Sequence, residues 1–133
     1  MPKDKRGGKR ADSITDVVYE GEFMEIAQTG EVKFIKYKGG SVTAPMETRT
    51  RGRVYATLDK NNEVKHITYY DKETGERIKQ IDVRGKPHLE MLPHTHLGYE
   101  HDEYGTRYPN AKEQKQIARI LEFWARKRVS LNM

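Results

Sequence analysis

Short runs of β-branched and aromatic residues alternate with polar positions through the first two thirds of the chain. They occupy residues 17–26, 32–37, 54–58, 64–70 and 77–83. Such alternation over a few residues is typical of half-buried strands. Residues 59–63 and 71–76 are rich in Asp, Asn and Gly, which favours tight turns. The pattern therefore predicts that the last three runs form an antiparallel meander, while the polar stretch 41–52 forms a loop.

The end of the chain has the periodicity of an amphipathic helix. Asn110 is a good N-cap, and Glu113 stands three residues later, as in a capping box. An apolar stripe follows at helical spacing, formed by Ile117, Ile120, Leu121, Trp124 and Ala125. The opposite face is basic and carries Lys112, Lys115, Arg119, Arg126, Lys127 and Arg128. We therefore expect an α+β fold, with an antiparallel sheet of about four to five strands and one C-terminal helix packed on it.

The length of 133 residues is that of one domain. Residues 1–13 contain lysines, arginines and two glycines but no large apolar group beyond Met1. Such a segment cannot bury enough surface to offset the loss of chain entropy. We predict a flexible basic arm over residues 1–13, a single domain over residues 14–129 and a short tail over residues 130–133.

The formal net charge of +5 favours polyanionic partners such as nucleic acid, although a lysine-rich solvated surface has the same composition. The absence of cysteine excludes disulfides and thiolate metal ligands. No apolar run approaches the roughly 20 residues that cross a bilayer, so we expect no membrane contact and a cytoplasmic location. The sequence does not predict an oligomeric state.

Residues 84–109 show no clear periodicity, and this stretch contains four of the five histidines: His88, His94, His96 and His101. Long irregular segments within compact domains are often functional. Histidine changes its protonation state near neutral pH, and it also binds metals. The function of the chain therefore depends largely on this stretch.

Metal-independent cleavage of RNA is the first interpretation of the histidines. It requires a general base, a general acid and cations around the phosphate. We assign the base and acid to His94 and His96, with His88 as a third catalytic member, and no metal or cofactor. The substrate-binding residues would be Lys79, Arg84, Arg107 and Tyr70. Tyr70, Tyr99, Tyr104 and Tyr108 could stack on bases or donate hydrogen bonds.

Two other interpretations remain open. On a strand, His94 and His96 would point to the same side. Together with His88 or His101, and with an oxygen from Glu90, Glu100 or Asp102, they could bind a metal ion. Alternatively, the histidines have a structural role, and His66, in the middle of a predicted strand, is a partly buried packing residue.

Several short motifs in a fixed order carry a resemblance. They are His66-Ile-Thr-Tyr-Tyr-Asp71, Lys79-Gln-Ile-Asp82, Pro93-His-Thr-His96 and Gly98-Tyr-Glu-His101. Over residues 52–128 the chain resembles a family encoded by phages and prophages of Gram-positive bacteria, beside portal and minor-head genes. Some relatives look like toxin domains of the barnase/EndoU/colicin/RelE-like nuclease superfold.

The resemblance implies a ribonuclease-like site on the face of the sheet. His88, His94 and His96 match the histidines of the family, and Lys79, Ile81 and Asp82 match the strand before them. The implied partners are RNA rather than DNA, and phage head or portal proteins. The implied location is the cytoplasm of a bacterial host or the virion. A non-enzymatic head-associated protein that binds nucleic acid or a virion partner is the alternative.

Overall fold

The computed structural model of the chain describes residues 22–83, 93–99 and 103–133. These residues form seven strands and one helix. In chain order they are β1 (Phe23–Thr29), β2 (Val32–Tyr37), β3 (Val54–Leu58), β4 (Val64–Tyr70), β5 (Arg77–Asp82), β6 (His94–Leu97), β7 (Thr106–Arg107) and α1 (Ala111–Ser130). The α+β class with one C-terminal helix is confirmed.

The seven strands form one sheet in which they lie in chain order. All neighbours are antiparallel except β2 and β3, which are parallel. The prediction of four to five antiparallel strands is therefore wrong in strand number and in one orientation. Parallel neighbours need a connection of about a dozen residues or more, and residues 38–53 provide it. The predicted meander of β3, β4 and β5 is confirmed.

The helix packs on one face of the sheet, which we call the helix face. Asn110 accepts a hydrogen bond from the backbone N–H of Glu113, and the Glu113 carboxylate accepts from the backbone N–H of Asn110, so the predicted capping box is present. Ile117, Ile120 and Trp124 are buried against the strands. Two predicted members of the apolar stripe, Leu121 and Ala125, are instead exposed, because the sheet covers a narrower face of the helix.

The opposite face of the sheet, which we call the open face, has a smaller apolar cluster of Phe23, Ile35, Tyr55 and Tyr70. The segment 38–53 contacts this cluster, since the Tyr70 hydroxyl donates to the carbonyl of Pro45 at 2.6 Å. The same segment bonds to the start of β5, where the N–H of Arg77 donates to the carbonyl of Met46. Polar side chains occupy the remainder of the open face, along β4, β5 and β6.

Parts of the sequence-based predictions lie outside the described residues. These are the basic arm over residues 1–13, Arg84, His88, His101 and the possible oxygen ligands Glu90, Glu100 and Asp102. The predicted irregular stretch 84–109 contains β6 and β7, so its prediction as a loop is wrong where residues are described. No helix in the described part of the chain has both the length and the apolar character needed to span a bilayer.

Candidate functional site

Strand register brings four polar residues together on the open face. His66 of β4 lies opposite Asp82 of β5, and Asp82 lies opposite His94 of β6. His96 follows His94 at a separation of two residues, so both imidazoles lie on the same side of β6. This part of the metal interpretation, two histidines on one side of a strand, is confirmed.

The Asp82 carboxylate is the centre of this group. Its Oδ1 lies 2.7 Å from His66 Nδ1 and accepts a hydrogen bond from Gln80 Nε2 at 2.9 Å. Its Oδ2 lies 2.9 Å from His96 Nε2 and 3.3 Å from His94 Nε2. We call these five residues the Asp82 cluster. Each carboxylate oxygen therefore faces two nitrogen atoms.

The Asp82 cluster is largely removed from solvent. His94 and His96 are each 3% exposed. Burial raises the pKa of Asp82, but hydrogen bonds from His66 and Gln80 and the charges of His66 and His96 lower it more, so it lies well below its usual range. An ionised carboxylate only accepts hydrogen bonds. In the metal-free protein, His66 therefore presents Nδ1–H to Asp82, and His96 presents Nε2–H.

A second layer of contacts holds the cluster in place. The Nδ1 of His96 lies 3.4 Å from Thr106 Oγ1 on β7. The side-chain oxygen of Gln80 accepts a hydrogen bond from Arg77 Nη1 at 2.9 Å. Arg77 is fixed in turn by donating to the carbonyl of Tyr99. Thr57, directly opposite His66 on β3, has a buried hydroxyl with no hydrogen-bond partner in the described part of the chain.

Two of the predicted phosphate-binding cations, Lys79 and Arg107, lie outside the Asp82 cluster and pair with Glu113 instead. Lys79 Nζ lies 2.7 Å from Glu113 Oε2, and the Arg107 guanidinium donates to both carboxylate oxygens of Glu113 at 2.8 and 2.9 Å. Thr95 also donates to Glu113. These four residues form the Glu113 cluster, which lies on the helix face. Side chains alternate between faces along a strand, so Lys79 lies on the face opposite to Gln80 and Asp82.

Tyr70 is likewise absent from the Asp82 cluster. Its ring is 7% exposed in the apolar cluster of the open face, and its hydroxyl contacts Thr68 Oγ1 and the carbonyl of Pro45. The ring is thus covered by protein, and the structure does not present it to a base. Arg84 and His88 lie outside the described residues.

Sequence reasoning missed most partners of the two histidines. The sequence predicts a partly buried packing role for His66; the side chain is buried, and it also contacts Asp82. Asp82 was noted within a motif but given no role, and Arg77 was not singled out. Even spacing along β5 could have placed Gln80 and Asp82 on one face. The pairing of His66 with Asp82 depends on strand register, which the sequence does not specify directly.

The donor atoms of Asp82, His94 and His96 fit a metal ion. One ligand atom from each residue can be chosen so that all three lie within 4.8 Å of one another. Metal–ligand distances of about 2.0–2.1 Å place neighbouring ligand atoms roughly 3.0–3.4 Å apart in four- to six-coordinate sites. The distances of 2.9 and 3.3 Å from Asp82 Oδ2 to the two Nε2 atoms are close to this range.

The sequence matches no protein-family model and no curated protein, and the fold matches no solved structure. What the Asp82 cluster can do therefore follows from its own geometry.

Proposed function

We propose that the protein binds a divalent transition-metal ion of the zinc class through Asp82, His94 and His96. The observation that carries this proposal is the convergence of both Nε2 atoms on one carboxylate oxygen, Asp82 Oδ2. Two imidazoles and one carboxylate are ligands that Zn²⁺ accepts readily. Three protein ligands leave at least one position for water or a substrate, as in catalytic zinc centres.

The charge balance of the cluster supports this proposal. Buried ionised groups are normally paired with an opposite charge or coordinate a metal. Among the described residues, the ion-pair partners of Asp82 are His66, His94 and His96, and no lysine or arginine of this part of the chain pairs with it. The negative charge of Asp82 therefore needs either a proton on a histidine or a metal ion close by.

The second layer of contacts also suits a metal ligand set. Ligating carboxylates and imidazoles are usually oriented by hydrogen bonds from their other atoms. His66 and Gln80 hold Oδ1 of Asp82, which leaves Oδ2 for the ion. Thr106 Oγ1 faces the Nδ1 of His96, where a metal-bound imidazole carries its hydrogen. The unpaired hydroxyl of Thr57 could accept a hydrogen bond at the rim of the site.

Metal analysis of protein purified without a histidine tag tests the proposal. We expect one Zn²⁺ per chain, removable by a chelator and restored by titration. Asp82→Asn, His94→Ala and His96→Ala should each weaken binding by at least about a hundredfold, because each removes a ligand. His66→Ala should weaken it by about tenfold, since second-layer partners contribute 10- to 100-fold.

Glu122→Gln is the matched control, because Glu122 is an exposed carboxylate on α1 and lies outside the cluster. It should bind Zn²⁺ as the wild type does. The proposal fails if wild-type protein binds Zn²⁺ no more tightly than the His94→Ala variant.

Metal-independent cleavage of RNA is the second candidate function. The favouring observation is that an ionised carboxylate holds His96 and His94 side by side, with the ring centroids 4.5 Å apart. Such a pair could act as general base and general acid on a phosphodiester. Arg77, rather than Lys79 or Arg107, would be the cation on this face. The phage context and the head or portal partners stay predictions.

A chelator separates the two functions. If the second candidate holds, RNA cleavage continues in excess chelator and disappears in both His94→Ala and His96→Ala prepared in parallel. Cleavage that stops on chelation and returns with Zn²⁺ would assign the reaction to the metal centre. Equal cleavage by wild type and both variants would remove the cluster from the reaction.

A further inference from the structure

Two tyrosines stand out on the surface of the molecule. Tyr104 is 74% exposed and Tyr108 is 61% exposed. Within the described residues they are the only aromatic side chains in the exposed class. Exposed aromatic rings lose the stabilisation that burial gives, so two of them four residues apart in the chain are candidates for a role at the surface.

Both tyrosines lie beside β7, the edge strand next to the Asp82 cluster. Each is two residues from Thr106, which contacts His96. The backbone on either side is fixed: the N–H of Tyr104 donates to the carbonyl of Leu97, and the carbonyl of Tyr108 accepts from Arg107. The rings are therefore exposed on a backbone that is hydrogen-bonded at both tyrosines.

Gly98 makes room for the first of these rings. Its φ of +110° suits glycine, and a Cβ atom at this position would come within 3.1 Å of Tyr104 Cδ2. The edge of the Tyr104 ring thus lies close to the β6–β7 hairpin, while most of its surface faces solvent. Because the ring edge already lies against the backbone, Tyr104 would lose less rotamer freedom on binding a ligand than an unrestrained side chain would.

Two lysines follow the tyrosines at the start of α1. Lys112 and Lys115 are exposed, and they share a helix face because they are three residues apart. Neither forms an ion pair within the described part of the chain. The nearby Arg107 is instead committed to Glu113. The segment from residue 104 to residue 115 therefore carries two exposed aromatic rings, followed by two exposed lysines that form no ion pair with a described residue.

We infer that these four residues, the Tyr104 patch, bind single-stranded nucleic acid. The bases would stack on Tyr104 and Tyr108, and the phosphates would contact Lys112 and Lys115. A lysine cluster alone would attract any polyanion, whereas open ring faces beside cations match unpaired bases on a phosphate backbone. The net charge of +5 favours the same class of ligand. This inference goes beyond the metal centre and does not depend on it.

Fluorescence anisotropy with a short labelled oligoadenylate, as RNA and as DNA, tests the patch. Tyr104→Ser and Tyr108→Ser should each weaken binding by about tenfold, because stacking on one aromatic ring contributes this much. Tyr104→Phe and Tyr108→Phe should bind like the wild type, since the ring faces remain. Binding of RNA or DNA that is weakened by the Ser variants and kept by the Phe variants supports the patch. The nucleic acid that binds more tightly shows whether the patch prefers ribose or deoxyribose.

The salt dependence of the same binding tests the lysines. Lys112→Gln and Lys115→Gln should each reduce the slope of log K against log salt concentration by about 0.7, the value for one phosphate contact on a single strand. Lys60→Gln, in the turn between β3 and β4, is the matched control and should leave the slope unchanged. Repeating the wild-type measurement in excess chelator should give the same affinity, which separates this test from that of the metal centre.

Two outcomes would overturn the inference. One is unchanged affinity in the Tyr104→Ser/Tyr108→Ser double variant with a native melting temperature. The other is evidence that the attraction is diffuse and electrostatic. Such evidence would be an equal reduction of the salt-dependence slope in Lys60→Gln and Lys112→Gln, or tighter binding of polyglutamate than of oligoadenylate.

Discussion

Two carboxylates, the buried Glu113 and the partly buried Asp82, lie on opposite faces of the sheet and differ in the partners that keep them ionised. Glu113 on the helix face is paired with the cations of Lys79 and Arg107. Within residues 22–83, 93–99 and 103–133, Asp82 on the open face has only histidines as ion-pair partners. The permanent charges of two cations neutralise Glu113, whereas Asp82 needs a proton on a histidine or a metal ion close by. This difference makes Asp82, and not Glu113, the candidate metal ligand.

Glu113→Gln should lower the free energy of unfolding by about 2 kcal/mol at neutral pH, because it leaves two partly buried cations without their partner. Burial raises the pKa of Glu113, but hydrogen bonds from Arg107 and Lys79 outweigh it and lower the pKa from 4.5 to about 2. A carboxylate whose pKa is lowered by folding stabilises the fold at pH values above its unfolded-state pKa. The difference between wild type and variant should therefore shrink as pH falls from about 4.5 to about 2.

Urea unfolding of both proteins across this pH range measures the effect. The substitution isolates the charge, since glutamine can also fill this position of a capping box. Glu122→Gln, at an exposed position on the same helix, should be close to neutral throughout. A stability difference that does not change with pH would show that the charge of Glu113 is not what stabilises the fold.

The elements that were predicted correctly are those with a strong local pattern. The bounds predicted for β2, β3 and β4 agree with the structure, and so does the start of α1, because apolar alternation and a capping box are local signals. β6 reads His-Thr-His-Leu and β7 has two residues, so neither carries an apolar pattern. β6 is a strand because β5 provides an edge on which it pairs, and β7 pairs in turn on β6. The parallel pairing of β2 with β3 likewise depends on the path of residues 38–53.

Trp124 anchors α1 to the sheet, so its truncation should be costly. Its ring stacks on Phe34 with centroids 5.2 Å apart, and its Nε1 donates to the carbonyl of Asn62 at 2.7 Å. We expect Trp124→Ala to lower the free energy of unfolding by about 4 kcal/mol. Trp124→Phe should lower it by about 1.5 kcal/mol, since an aromatic ring remains but the hydrogen bond is lost.

Chemical denaturation of these variants is the measurement. Leu121→Ala is the control on the same helix, because Leu121 is 37% exposed. It should change stability by less than about 1 kcal/mol. A larger loss for Leu121→Ala than for Trp124→Ala would contradict the observed packing of the helix and restore the broader apolar stripe predicted from the sequence.

The larger apolar cluster and the Asp82 cluster lie on different faces of one sheet. The spacing of His94 and His96 by two residues predicts that they share one side if they lie on a strand, and β6 places them so. Lys79 and Arg107 lie on the face of the sheet opposite to His94 and His96. The sequence could not show this, because it depends on how β5 and β7 pair with β6. It also could not select Asp82 as their partner, since residues 82 and 94 meet only through strand pairing.

At this scale the metal ion would join β5 to β6. Because the ligands come together only in the folded chain, binding is coupled to stability. Zn²⁺ at 100 times its dissociation constant should stabilise the wild type by about 2.7 kcal/mol and leave the Asp82→Asn variant nearly unchanged.

The most direct test of the metal centre is to follow the histidine ring nitrogens by NMR during a Zn²⁺ titration. In the metal-free protein we expect His96 to carry its hydrogen on Nε2, which faces Asp82. On adding one equivalent of Zn²⁺, His94 and His96 should both show metal-bound Nε2 and protonated Nδ1, while Asp82→Asn shows no such change. Unaltered His94 and His96 signals in excess Zn²⁺, or binding that perturbs other residues only, would contradict the account.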